Sequence, residues 1–109
     1  MTAGREYFAL TDEAPAPGVA LTLERGPEPR RQHVVRQVLA GHATGTTLVV
    51  LRLESPPTGP LARWRVAGFD VMTFEPFIAG PPGQAVRLLV PALPARLAFG
   101  TIIGWTDEA

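Results

Sequence analysis

A chain of 109 residues, 46% hydrophobic and 18% charged, is one domain, large enough to bury its own core and too apolar to stay disordered. Its ten basic residues, all arginine, balance ten acidic ones, which argues against a general nucleic-acid binder needing a positive field. With no cysteine there is no disulfide framework or thiolate nucleophile, and with no apolar leader or ~20-residue apolar run the expectation is a soluble, cytoplasmically made protein without a membrane partner.

Residues 1–17 read as an extended N-terminal arm, because "APAPG" (14–18) favours a stiff, extended backbone and the aromatic pair Tyr7–Phe8 stands among small and charged residues. The remaining residues, 18–109, read as the folded domain. "VALTLE" (19–24) alternates, with Val19, Leu21 and Leu23 on one face, as a half-buried strand does. "RGPEPRR" (25–31) breaks it, since neither proline can donate a ladder hydrogen bond.

The spacing of Val34, Val35, Val38 and Leu39 in "QHVVRQVLAGH" (32–42) also suits a helix, but three valines in so short a segment favour strand. "AGHATG" (40–45) then reads as a hairpin turn. "TTLVVLRLE" (46–54) is the clearest strand, expected to be central because both of its faces begin apolar. After a loop at 55–60, "LARWRVAGFDVMTF" (61–74) reads as two strands meeting near Gly68, or as one strand bent there by a bulge. A second loop is expected over 75–84, and the last strands are "AVRLLV" (85–90) and "RLAFGTIIGW" (96–105), separated by "PALP" (91–94).

Short strands punctuated by 12 prolines and 11 glycines predict an all-β fold. The architecture expected is an antiparallel β-sandwich, of jelly-roll type, with the extended N-terminal arm attached; a small closed barrel is the alternative.

Chemistry is scarce along this chain. His33 and His42 would lie ~30 Å apart on a strand or ~14 Å apart on a helix, too far in either case to share a metal, and both read as surface or turn residues. Ser55, the only serine, lacks the glycine elbow of a hydrolase nucleophile. There is no phosphate-binding loop, zinc-protease motif or dinucleotide fingerprint. The acid pairs Asp12–Glu13 and Asp107–Glu108, each inside a "TDEA", point to opposite strand faces and cannot work as a catalytic pair. No catalytic, cofactor or metal residue is therefore assigned, and the chain does not read as an enzyme. In "ARWRV" (62–66), Trp64 faces away from Arg63 and Arg65. The three could form a platform for a sugar or base, but alternation favours Trp64 in the core with the arginines paired to Asp70 or Glu75. Trp105, ending the last strand, either plugs the sandwich or meets a partner.

The order of features in "FEPFIAGPPGQAVRLLVPALPARLAFGTIIGW" (74–105) is a strand, a proline-glycine loop, an apolar strand and a small-residue-rich final strand. Over residues 33–106 this pattern resembles small β-sandwich structural proteins of tailed bacteriophages, of the head-decoration, fibre-associated and adaptor types. The resemblance carries no catalytic or binding motif and transfers no site residue. It implies a virion protein that decorates or cements a capsid, bound to the major capsid protein or to neighbouring subunits, and forming a homo-oligomer or a lattice. On this chain the expected partner contacts are Tyr7, Phe8, Phe77 and Trp105. The alternative is a carbohydrate- or receptor-binding module with Trp64, Arg63 and Arg65 as its platform.

Overall fold

The computed structural model describes residues 4–109, so positions 1–3 of the expected arm lie outside the described residues. Eight strands follow in chain order: β1 (Glu6–Glu13), β2 (Leu21–Arg25), β3 (Arg31–His42), β4 (Leu48–Ser55), β5 (Gly59–Ala67), β6 (Phe69–Ala79), β7 (Val86–Val90) and β8 (Ala98–Glu108). They form two antiparallel four-stranded sheets, ordered β1-β8-β3-β6 and β2-β7-β4-β5, packed as a sandwich. The pairings nest: β4 with β5, β3 with β6, β2 with β7, and β1 with β8, successive pairs falling in opposite sheets.

Alternation explains which side chains meet between the sheets. Val49, Leu51 and Leu53 of β4 point inward, as do Val86, Leu88 and Val90 of β7 and Leu21 and Leu23 of β2. The first sheet meets them with Phe8, Val35, Val38, Ala40 and Ile102. Leu51, Leu53, Leu88 and Ile102 are fully buried, each worth about 1.5–3 kcal/mol relative to exposure. The inner face of β8 otherwise carries small residues. At Gly104 a Cβ would run into the carbonyl oxygen of Val34, and at Gly100 it would lie 2.9 Å from a Leu88 methyl.

The 32–42 segment is a strand throughout, interior to the first sheet. Several other expectations are corrected. Residues 6–13 are not a separate arm but the edge strand β1, in continuous register with β8 from Glu6 opposite Thr106 to Glu13 opposite Phe99. Residues 40–45 are not a hairpin turn, because β3 and β4 belong to different sheets. β4 is interior to its sheet as expected, yet its second face is open: Leu48 and Val50 are exposed. Two strands do meet at Gly68, where a positive φ of 79° turns the chain from the second sheet into the first. Residues 75–79 continue β6 rather than forming a loop. Residues 74–77 bulge out where only Arg36 stands between the pairs Val35–Ile78 and Gln37–Thr73, so Pro76 interrupts no ladder bond.

Candidate functional site

Three groups of side chains stand apart from the packed core: buried polar residues, the outer face of the first sheet, and the outer face of the second.

The histidines are buried, not on the surface. His33 and Thr106 are fully enclosed, and the ring nitrogens of His33 lie 2.6 Å from the Gly26 carbonyl oxygen and 2.8 Å from the Thr106 hydroxyl oxygen. Since a carbonyl only accepts, Nε2 donates to Gly26, and in that tautomer Nδ1 accepts from the Thr106 hydroxyl. His42 donates through Nε2 to the Pro91 carbonyl at 2.7 Å. Ser55 is buried and donates to the Ala85 carbonyl at 2.6 Å. Each ties a loop to the sandwich. Among the described residues no three His, Asp or Glu side chains are placed to hold a metal ion.

On the outer face of the first sheet, Tyr7 of β1 lies opposite Trp105 of β8, which lies opposite Val34 of β3. The Tyr7 ring meets Trp105 edge-on at 6.1 Å and Phe77 does so at 4.6 Å, while the Arg5 guanidinium sits 4.3 Å above the indole. Asp107 accepts from both the indole Nε1 (3.0 Å) and Arg5 Nε (3.0 Å). The hydrogen bond to Asp107 also raises the Arg5 pKa above its ordinary value. Trp105 is thereby enclosed, 5% exposed, whereas Tyr7 at 73% and Phe77 at 51% remain largely open. At the far end of the same face Phe69 packs edge-on against Phe99 at 5.4 Å. Ile103, Leu39 and Val71 lie between the two aromatic clusters, and charged residues are confined to the ends and to the bulge at Arg36 and Glu75.

Of the four expected contacts, Tyr7 and Phe77 are accessible; Phe8 and Trp105 are not. Phe8 points inward, edge-on to His33 at 6.1 Å, with the Arg25 guanidinium 4.9 Å over its ring. Arg25 in turn pairs with Glu6 at 2.7 Å and Glu28 at 3.3 Å. Sequence reasoning missed Phe69, Val71 and Ile103. Phe69 and Val71 share one face at period two, which was the available signal.

The alternative platform is divided between two faces. Trp64 is half-buried, packed against the core and edge-on to Phe74 at 5.7 Å. Arg63 and Arg65 lie on the opposite, outer face of β5. The expected pairing with Asp70 or Glu75 is not made: among the described residues no carboxylate reaches either arginine within 4.0 Å.

Compared with known proteins, the chain matches no family model, no curated protein and no solved structure. Among the described residues no helix is long and apolar enough to cross a membrane.

Proposed function

We propose that this chain is a non-enzymatic structural protein of a phage or phage-like particle, held among protein neighbours by the outer face of its first sheet. The nested strand pairing supports a jelly-roll reading of the sandwich, and the particle assignment rests on the sequence resemblance of residues 33–106. The observation that supports docking is the distribution of exposed apolar side chains. Of the eight large ones exposed among the described residues, five (Tyr7, Phe69, Val71, Phe77 and Ile103) belong to this one face. Scattered apolar residues on a surface need no explanation, but exposed apolar side chains gathered on one sheet face are the usual mark of a protein interface. Tyr7 and Phe77 already pack edge-on against Trp105, so less side-chain entropy remains to be lost when a neighbour covers them.

Quantitative mass spectrometry of sedimented particles tests the reading. The chain is expected to co-sediment in a fixed copy number per particle. Val71→Glu and Ile103→Glu, both outward-facing, are expected to empty those positions while leaving the far-UV spectrum and melting temperature of the isolated chain unchanged. Full occupancy by the double variant would refute docking through this face. Absence of the chain from particles would refute the particle assignment and leave a soluble binding module as the better reading.

A further inference from the structure

The outer face of the second sheet holds a charge arrangement that the docking reading does not use. In one row across it, Glu24, Arg87 and Glu54 alternate, with Arg87 2.7 Å from Glu24 and 3.7 Å from Glu54. One row further along β4 the alternation fails. Arg52 stands directly opposite Arg63 of β5, and Arg65 follows in the next row, opposite Val50. Among the described residues no carboxylate comes within 4.0 Å of these three guanidinium groups. Like charges directly opposed on a sheet face repel, and the acids of the neighbouring row, Glu24 and Glu54, are already engaged by Arg87.

A cleft opens beside the opposed pair. β4 pairs with β7 only from Arg52 to Glu54, and beyond Arg52 the two strands part. The gap has a volume of about 500 Å³, within the range of small-molecule sites, and is lined by Arg52 and Arg63 together with Thr22, Val50, Leu89 and Pro91. Two guanidinium forks, each able to grip an oxyanion bidentately, thus border a mainly apolar hollow.

We infer that this cleft binds a small organic anion, its carboxylate or phosphate group bridging Arg52 and Arg63 and its body lying over Val50, Leu89 and Pro91. The anion supplies the opposite charge that the row lacks, and Arg65 adds to the attracting field. Trp64 faces the core and takes no part. The site is on the other side of the sandwich from the docking face, so it stands or falls independently of the proposed assembly.

The test is an amide NMR titration of the isolated full-length chain at low ionic strength, with phenyl phosphate, benzoate, inorganic phosphate and, as the neutral control, benzyl alcohol. Saturable shifts are expected at residues 50–52, 63–65 and 89–91, with phenyl phosphate or benzoate binding more tightly than inorganic phosphate and benzyl alcohol producing none. Arg52→Gln and Arg63→Gln are each expected to weaken binding about tenfold, whereas Arg36→Gln, in the bulge of the other sheet, leaves it unchanged. Because Arg52 and Arg63 are exposed and mutually repulsive, both variants should remain folded, which the same spectra report. Shifts that rise without saturating, that spread over all the arginines, or that survive Arg52→Gln and Arg63→Gln would overturn the assignment. Saturation by inorganic phosphate as tight as by phenyl phosphate would overturn the role given to the apolar hollow.

Discussion

Replacing His33 by leucine removes a side chain that joins the β2–β3 loop to β8. Leucine fills a similar volume beside Phe8, so the cost is polar. The Thr106 hydroxyl, fully buried, loses its acceptor at 2.8 Å, and the Gly26 carbonyl loses its donor at 2.6 Å. Gly26 is exposed, so its carbonyl can turn to water, and most of the loss falls on Thr106. An orphaned buried polar group costs about 1–3 kcal/mol, which puts His33→Leu at about 2–3 kcal/mol in all. Thr106→Val, which strands Nδ1 of His33, should cost about 1–2 kcal/mol. In the double variant both buried members of the pair are apolar and neither is orphaned, so the loss should fall below that of His33→Leu alone. The resulting coupling is at least about 1–2 kcal/mol. Urea denaturation reads all three. With a slope of about 1–2 kcal/mol per molar for a chain of this size, the His33→Leu midpoint should fall by about 1–3 M. An unmoved midpoint, or single losses that simply add in the double variant, would refute the hydrogen-bonded bridge.

Other expectations follow from packing. Gly104→Ala presses a methyl into the backbone of Val34, which cannot yield without parting β3 from β8, and should cost at least 3 kcal/mol by the upper range of overpacking, ~3 kcal/mol. Gly100→Ala meets only the tip of Leu88, which can rotate, and should cost about 1 kcal/mol; denaturant midpoints give the order, and a reversal would contradict the close approach at Gly104. Leu88→Ala, fully buried between the sheets, should lose about 2–5 kcal/mol by the same measurement. Tyr7→Ser should shift tryptophan emission to the red by uncovering Trp105, with Trp64 as an unaltered background; an unchanged spectrum would mean that Tyr7 does not cover the indole.

Much of the sandwich is legible in the sequence because its inner faces obey period two. Leu21 and Leu23, then Val49, Leu51 and Leu53, identify their strands and the buried side of each without reference to partners. Where pairing is remote, local pattern carries less. Residues 6–13 show no strong alternation, and what makes them a strand is β8, at the other end of the chain. Pro76 reads as a loop signal, yet β6 is an edge strand and the proline lies in its bulge, where no ladder donor is required. Trp64 was placed correctly by alternation, while the supposed partners of Arg63 and Arg65 were not, since Asp70 and Glu75 follow the corner at Gly68 into the other sheet. The opposition of Arg52 and Arg63 needs the register of β4 against β5, which composition and spacing do not state. From the sequence, His33 and His42 at the two ends of their segment read as surface or turn residues. Only the folded neighbours, a threonine on β8 and a carbonyl after β7, account for their burial.

The nesting of strand pairs also bears on how the chain acquires its structure during synthesis. Only β4 and β5 are joined as a short hairpin; each outer pair closes a longer loop, and such closures slow folding. Of the eight strands β8 is made last yet lies between β1 and β3, so the first sheet lacks one of its two interior strands until translation reaches residue 108. Pulse-labelled hydrogen exchange during refolding should find protection earliest in 48–67 and latest in 6–13 and 98–108. Until then the nascent chain carries unpaired edges at β1 and β3, the interval in which it is most exposed to aggregation or to capture by a chaperone.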